Sequence, residues 1–191
     1  MSEMRFISDL HLGHANSLRF DNRPFKNIQE QDEVITTNWN SVTNPKDTVW
    51  IAGDFSWYPP EKTVEVLRQL NGHLKLVAGN HDKALLKNHD VVRLFDEIVD
   101  VKEIYLSKKK MLTVYHYPSP CFNKHLYGSY HLYGHVHNSF EHQFALEMRK
   151  KMIELGFPCN MYNIGCMLPE IGYTPRTLEE IVTAYGDKFS L

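Results

Sequence analysis

The stretch FISDLHLGHAN, Phe6 to Asn16, decides the fold: an apolar run ends in an aspartate and two histidines, with a glycine between the histidines. An apolar run that stops at a polar loop reads as a buried strand of an α/β sheet. The loops at the carboxyl ends of such strands are where chemistry usually sits. Asp9, His11 and His14 are therefore ligand-type side chains in search of partners.

The pattern returns four times downstream. IAGDF brings Asp54, VAGNHD brings Asn80, His81 and Asp82, VYHYP brings His116, and LYGHVHN brings His135 and His137. Each follows an apolar run, so a sheet gathers all five loops at one edge. Gly53, Gly79 and Gly134 each precede one of these loop residues, where a side chain would obstruct a sharp turn or a close approach. The donors are imidazole, carboxylate and amide oxygen with no thiolate. Such a set suits Mn²⁺, Fe, Zn²⁺ or Ni²⁺ and disfavours a structural zinc knot. Too many donors are present for one ion, and a pair of ions about 3.5–4 Å apart needs a bridging carboxylate.

Between these loops the chain alternates strand and helix. MRFIS is a first strand; after a polar loop, IQEQDEVITTNWNSV repeats apolar residues at helical spacing. DTVWIAGD and HLKLVAGNHD are further strands, separated by PPEKTVEVLRQLNG, which opens on prolines and stops at Asn71-Gly72. This predicts βαβ units and a largely parallel sheet. In the second half, FDEIVDVKEIYLSKKKMLTVYHYP reads as two strands joined by a lysine turn at Lys108, Lys109 and Lys110, a solvated hairpin rather than a polyanion site. YHLYGHVH and CNMYNIG are two more strands around a helix over residues 141–155, and a last helix opens at Thr177 with the spacing of a capping box to Glu180. No repeat or linker divides the chain, so residues 1–191 read as one domain.

Composition narrows the class. A formal charge of −2 with 42% hydrophobic residues fits a folded protein and disfavours a dedicated nucleic-acid polymer binder. Eleven histidines favour metal chemistry. Cys121, Cys159 and Cys166 form no even disulfide set, which points to free thiols in a reducing, cytoplasmic setting, and no long apolar stretch suggests a membrane span.

Taken in order, Asp-x-His, Gly-Asp, Gly-Asn-His-Asp, a lone His and Gly-His-x-His resemble the calcineurin-like metallophosphoesterases. SDLHLGHAN with NRPF and NWNSV is similar to a compact, uncapped bacterial and phage group within them. The resemblance implies a four-layer α-β-β-α sandwich of two mixed sheets and two divalent metal ions, Mn most readily. In it, Asp9, His11 and His137 hold one ion, Asn80, His116 and His135 the other, and Asp54 bridges. His81 faces the leaving oxygen as general acid or charge donor, and Asp82 orients its imidazole. The implied reaction is hydrolysis of a small phosphomonoester or phosphodiester by a metal-bridging hydroxide, without a covalent phosphoenzyme.

Several readings stay open at this level. His14 either reaches the phosphate or only orients its loop, and Arg23 either pairs with a substrate phosphate or caps a surface loop. The helix over 141–155 is either a wall of the substrate cleft or a face for another subunit. Against the phosphoesterase stand two alternatives, a non-catalytic metal-binding scaffold module and a nuclease. In YNIGCML, Cys166 and Met167 occupy a place where the similar group has an acidic or polar residue.

Overall fold

The structure is a computed structural model and describes residues 2–191. Buried apolar runs make its first strands. β1 (Met4–Ile7), β2 (Thr48–Ile51) and β3 (His73–Val77) pair in parallel, and β4 (Glu97–Val99) continues the parallel order on the outer edge. The crossovers are helical. α1 (Ala15–Phe20) and α2 (Ile28–Val42) follow β1, and α3 (Pro60–Leu67) follows β2. In α2 the buried residues Ile28, Gln31, Ile35 and Trp39 recur at helical spacing, and the Asn27 side chain caps the first turn by accepting from the Glu30 amide.

A second sheet carries β5 (Val101–Tyr105), β6 (Met111–Tyr115), β7 (Tyr130–Tyr133) and β8 (Asn160–Asn163) in that spatial order. β5 is antiparallel to β6, and β6, β7 and β8 are parallel. Strand periodicity splits its two faces. Leu112, Val114, Tyr130, Leu132 and Tyr162 point into the core shared with the first sheet. The alternate residues Tyr133 and Met161 pack with Ala145 of α5 (Phe140–Glu154) on the outer side. The first sheet is closed by β9 (Arg176–Thr177), antiparallel to β1, and α6 (Leu178–Ala184) follows with the capping box between Thr177 and Glu180 that its sequence predicts. Both sheets are mixed and helices lie outside them, the expected sandwich.

One expectation needs correction. The run from Phe95 to Pro118 holds three strands, not two: β4 belongs to the first sheet, β5 and β6 to the second, and only Asp100 separates β4 from β5. Alternation in the sequence is blind to which sheet a strand joins, so a continuous strand-like run hid the transfer. The short helices α1 and α4 (His89–Val92) were also not foreseen, being only 6 and 4 residues long. The lysine turn lies where expected, between β5 and β6, with Lys108 and Lys109 exposed.

The two sheets are laced together beyond their strand ends. Ser8, just past β1, forms a parallel bridge with Gly165, just past β8: its amide donates to the Ile164 carbonyl at 2.9 Å, and its carbonyl accepts from the Cys166 amide at 2.9 Å. Because β1, β2, β3, β6 and β7 all point their carboxyl ends the same way within their sheets, this seam brings five loops to one rim.

Behind the rim, His131 of β7 is wholly buried. Its Nδ1 lies 3.2 Å from the Thr113 carbonyl and its Nε2 accepts from the Ser119 amide at 3.1 Å, a pairing that suits the neutral ring. Burial pushes its pKa down to about 4, with the backbone carbonyls opposing in part. Since the folded pKa lies below the unfolded one, its contribution to stability is complete above about pH 6.5 and is lost as pH falls toward 4. We expect unfolding free energy to drop over that window by up to roughly 3 kcal/mol from this group. Denaturant titrations of wild type and His131→Gln at several pH values should show a shallower acid loss in the variant; parallel profiles would refute it.

Candidate metal centre

Five of the seven ligand-type residues of the rim sit in an uncommon backbone conformation. Asp9, His11, Asp54, His135 and His137 have φ of 55, 49, 55, 70 and 46°, left-handed values that side-chain-bearing residues seldom adopt. Such strain clusters where a site needs side chains aimed inward, at about 1–3 kcal/mol per residue. Two glycines keep the space clear. A Cβ on Gly79 would stand 2.3 Å from Asp54 Oδ1, and one on Gly134 would stand 2.5 Å from Asp9 Oδ2.

Two groups of donors result. One atom each from Asp9, His11, Asp54 and His137 lie within 4.8 Å of one another. In the other, Asn80 Oδ1 is 3.0 Å from His116 Nε2 and 2.9 Å from His135 Nδ1. Asp54 belongs to both: its Oδ2 is 3.7 Å from His11 Nε2 and 3.6 Å from His116 Nε2. All seven residues singled out in the sequence as metal ligands are thus brought together around one carboxylate. His14, His81 and Trp57 join His11, Asp54, His135 and His137 around a cavity of about 330 Å³.

The surroundings test whether this set fits cations. His137 Nδ1 is 2.7 Å from Asp21 Oδ1, and His116 Nδ1 is 2.7 Å from the Ala52 carbonyl, so in both rings Nε2 is left facing the donor group. This is the usual support of a metal-ligating histidine. Asp9 is held by the Ser8 hydroxyl at 2.7 Å and the His135 amide at 3.0 Å. The electrostatics of the centre are mixed: Asp21 and Asp9 together outweigh burial and raise His137, whereas other groups are pushed toward their neutral forms. Burial, then the Asp9 carboxylate, push the Asp54 carboxyl up to about 6, while burial, then His137, push His11 down to about 2. Burial and His116 also lower His135. Crowded carboxylates beside imidazole lone pairs are a chemical description of a cation site, and the residues fit divalent metal.

His11 departs from the other rings. The Trp57 indole Nε1–H can only donate, and it reaches His11 Nδ1 at 2.9 Å, which leaves the His11 proton on Nε2, the nitrogen facing Asp54. A cation at that nitrogen moves the proton to Nδ1 and sets it against the indole N–H.

Two expectations are corrected by the packing. Arg23 is no substrate contact: its side chain is 0% exposed, and its fork donates to the Asp9 and Leu10 carbonyls, Gln31 Oε1 and Asp21 Oδ2. It braces the strained Asp9 loop from behind. Asp82 does not orient His81; its buried carboxylate accepts from the backbone amides of Asp54, Phe55 and Gly79 at 2.8–3.0 Å, tying two ligand loops together. His81 is exposed on the cavity, its ring 5.8 Å from that of His11. His14 lines the cavity, stacked on Trp57 at 4.1 Å with its buried Nδ1 unpartnered.

Sequence reading missed three contributors. Trp57 follows Asp54 by three positions in GDFSW, a spacing that by itself signals nothing. Asp21 supports His137; burial raises its carboxyl, but the hydrogen bonds and charges of His137 and Arg23 together hold it below the usual range. Cys166 donates its thiol to the Asp9 carbonyl at 3.2 Å, and burial pushes that thiol up to about 12. The remaining Asn80 to Asp82 turn is anchored by the His81 amide, which donates to Asp54 Oδ1 at 3.0 Å.

Comparison with known proteins agrees with this geometry. The model of the calcineurin-like phosphoesterase family matches residues 5–154, a span that holds every ligand-type residue described above, and the chain belongs to that family. It is 41% identical over 85 residues to an uncharacterized protein of Methanocaldococcus jannaschii, a stretch that is 44% of this chain and 48% of that protein. With the gene 66 protein of Mycobacterium phage L5 it shares 34% identity over 97 residues, 49% of this chain and 46% of the phage protein. The matched region thus spans about half the length of these curated relatives. A crystal structure of a protein of unknown function from Aquifex aeolicus superposes with a TM-score of 0.70 at 28% identity, covering 96% of this chain and 99% of that one.

Two outcomes follow for metal loading. Asp21→Asn should weaken binding of divalent metal by roughly 10- to 100-fold in calorimetric titrations, with the fold unchanged by circular dichroism; unaltered affinity would show that His137 needs no such support. Titration with Zn²⁺ should shift the Trp57 indole N–H resonance as its hydrogen bond to His11 is given up, whereas an unmoved signal at saturation would place the cation elsewhere.

Proposed function

We propose that the chain is a dinuclear-metal phosphoesterase that hydrolyses a small phosphomonoester or phosphodiester. The observation that carries this reading is the position of Asp54, whose one carboxylate stands between two imidazole-containing donor groups. Asp9, His11 and His137 would hold one cation, Asn80, His116 and His135 the other, and Asp54 both. Two such cations, with Mn²⁺ the first choice, would supply a Lewis acid to the phosphoryl oxygens and lower the pKa of an attacking water.

The residues around them supply the rest. His81, exposed on the cavity and beside Asn80, donates a proton to the leaving oxygen or stabilises its charge. No serine, cysteine or aspartate is required as a nucleophile, so water attacks phosphorus directly, the P–O bond to the leaving group breaks, and the proton from the His81 side ends on the departing oxygen. His14 and Trp57 wall the cavity beside the metal-facing residues. The formal charge of −2 gives no broad cationic footprint for a polymer, which favours a small substrate. Among the described residues no helix is long and apolar enough to cross a membrane. The free cysteines suit a reducing cytoplasm.

Metal-stripped protein should be inert toward a chromogenic phosphodiester and regain turnover with Mn²⁺. His81→Asn should lower kcat by about 10²- to 10⁴-fold while metal content stays at two per chain, and Asp54→Asn should lose metal outright. In ¹⁸O-water, a single turnover should place label in the phosphate product. Label appearing first in the protein, or full activity in His81→Asn, would sink this mechanism.

A further inference from the structure

A second cavity, of about 430 Å³, adjoins the metal centre and shares with it the side chains of Trp57 and His81. None of the carboxylates of the centre lines it. Its walls are instead the rings of Tyr58 and Pro60 and the buried Leu85, with Asn80 at the boundary and the exposed Lys83 and Ala84 beside the opening. Trp57 is the unusual element. Its indole is 46% exposed, yet one face is held by the stacked His14 ring at 4.1 Å and 14°. A large aromatic surface that is open on a cavity and already immobilised binds without losing side-chain freedom, and it favours a flat partner.

We infer that this cavity receives the leaving alcohol of the ester and selects one that carries a planar aromatic ring. The inference rests on the hydrolytic reading above and gives the substrate of that site a chemical class. In-line displacement sets the departing oxygen opposite the attacking water. The water oxygen bonds to phosphorus, the P–O bond to the alcohol breaks, and the proton from His81 remains on the alcohol, so the alcohol lies against His81. The apolar, aromatic-walled space that opens from His81 and lacks every metal-facing carboxylate is this second cavity. Three aromatic side chains, Trp57, Tyr58 and His81, face it, and no acidic residue does.

Two measurements on the full chain test this. With Mn²⁺ present, kcat/KM is compared for methyl 4-chlorophenyl phosphate and methyl hexafluoroisopropyl phosphate, whose leaving alcohols are of similar acidity. The aryl ester should be favoured by about tenfold or more, and Ala84→Phe, which crowds the cavity from an exposed position, should remove the preference by slowing the aryl ester selectively. Independently of turnover, ¹H–¹⁵N spectra of the metal-free protein are recorded with methyl benzylphosphonate. The Trp57 indole signal and the amides of Lys83 and Leu85 should shift saturably, and the cyclohexylmethyl analogue should move them far less. Equal rates for the two esters, or an unmoved Trp57 signal, would overturn the subsite. If neither ester is hydrolysed while the benzyl analogue still shifts Trp57 selectively, the aromatic subsite stands and the hydrolytic reading fails.

Discussion

The site depends on the seam at Ser8. A strand end in one sheet is hydrogen-bonded in parallel to a strand end in the other, through Ile164 and Cys166. Without that lacing, Asp9, Asp54 and Asn80 would occupy the rim of one sheet and His116, His135 and His137 the rim of another. With it, side chains as far apart in sequence as Asp9 and His137 meet. The geometry is purchased with left-handed backbone at five of the seven donor positions, and local ties offset that strain. Arg23 clamps the Asp9 loop, Asp82 binds three loop amides, and the Asp9 carboxylate accepts from the His135 amide. These groups are buried and charged, which is tolerable because each is matched by several hydrogen bonds.

Much of this was legible in the sequence, for a definite reason. A strand that is buried on both faces must be apolar throughout, so the residue at which the run fails marks the loop; Asp9, Asp54, Asn80, His116 and His135 all announce themselves in that way. Helix signals were equally local: the Thr177 capping box and the stop at Gly156 both lie where residue type demands. What escaped was non-local. The transfer at Asp100 from one sheet to the other leaves the alternation of side chains intact. Arg23 looked free because the carbonyls it binds belong to a loop thirteen or fourteen residues earlier. Asp82 looked like a partner for the adjacent His81, but its carboxylate turns inward to amides of another loop. Asp21 and Trp57 carry no motif, and only the fold brings them against His137 and His11.

The charges at the centre show how strongly the fold anticipates cations. Burial and the neighbouring Asp9 carboxylate raise the Asp54 pKa, whereas His11 and His135 are pushed toward neutrality and His137 rises because Asp21 and Asp9 together outweigh its burial. In an unfilled centre these tendencies oppose one another. Positive charge reverses the cost at Asp54 and uses the lone pairs that neutral imidazoles offer. Divalent cations bound there would stabilise the folded state by an amount that grows with the logarithm of their affinity.

Cys166 has a consequence for metal selectivity. Its sulfur sits against the Asp9 backbone, within reach of the centre, yet it is shut away from solvent and bonded as a thiol to a carbonyl oxygen. A sulfur kept protonated offers no thiolate to copper(I) or other thiophilic ions, so discrimination at this rim falls to oxygen and nitrogen alone. The residue that looks most like a soft ligand acts as a filler that keeps the neighbourhood hard.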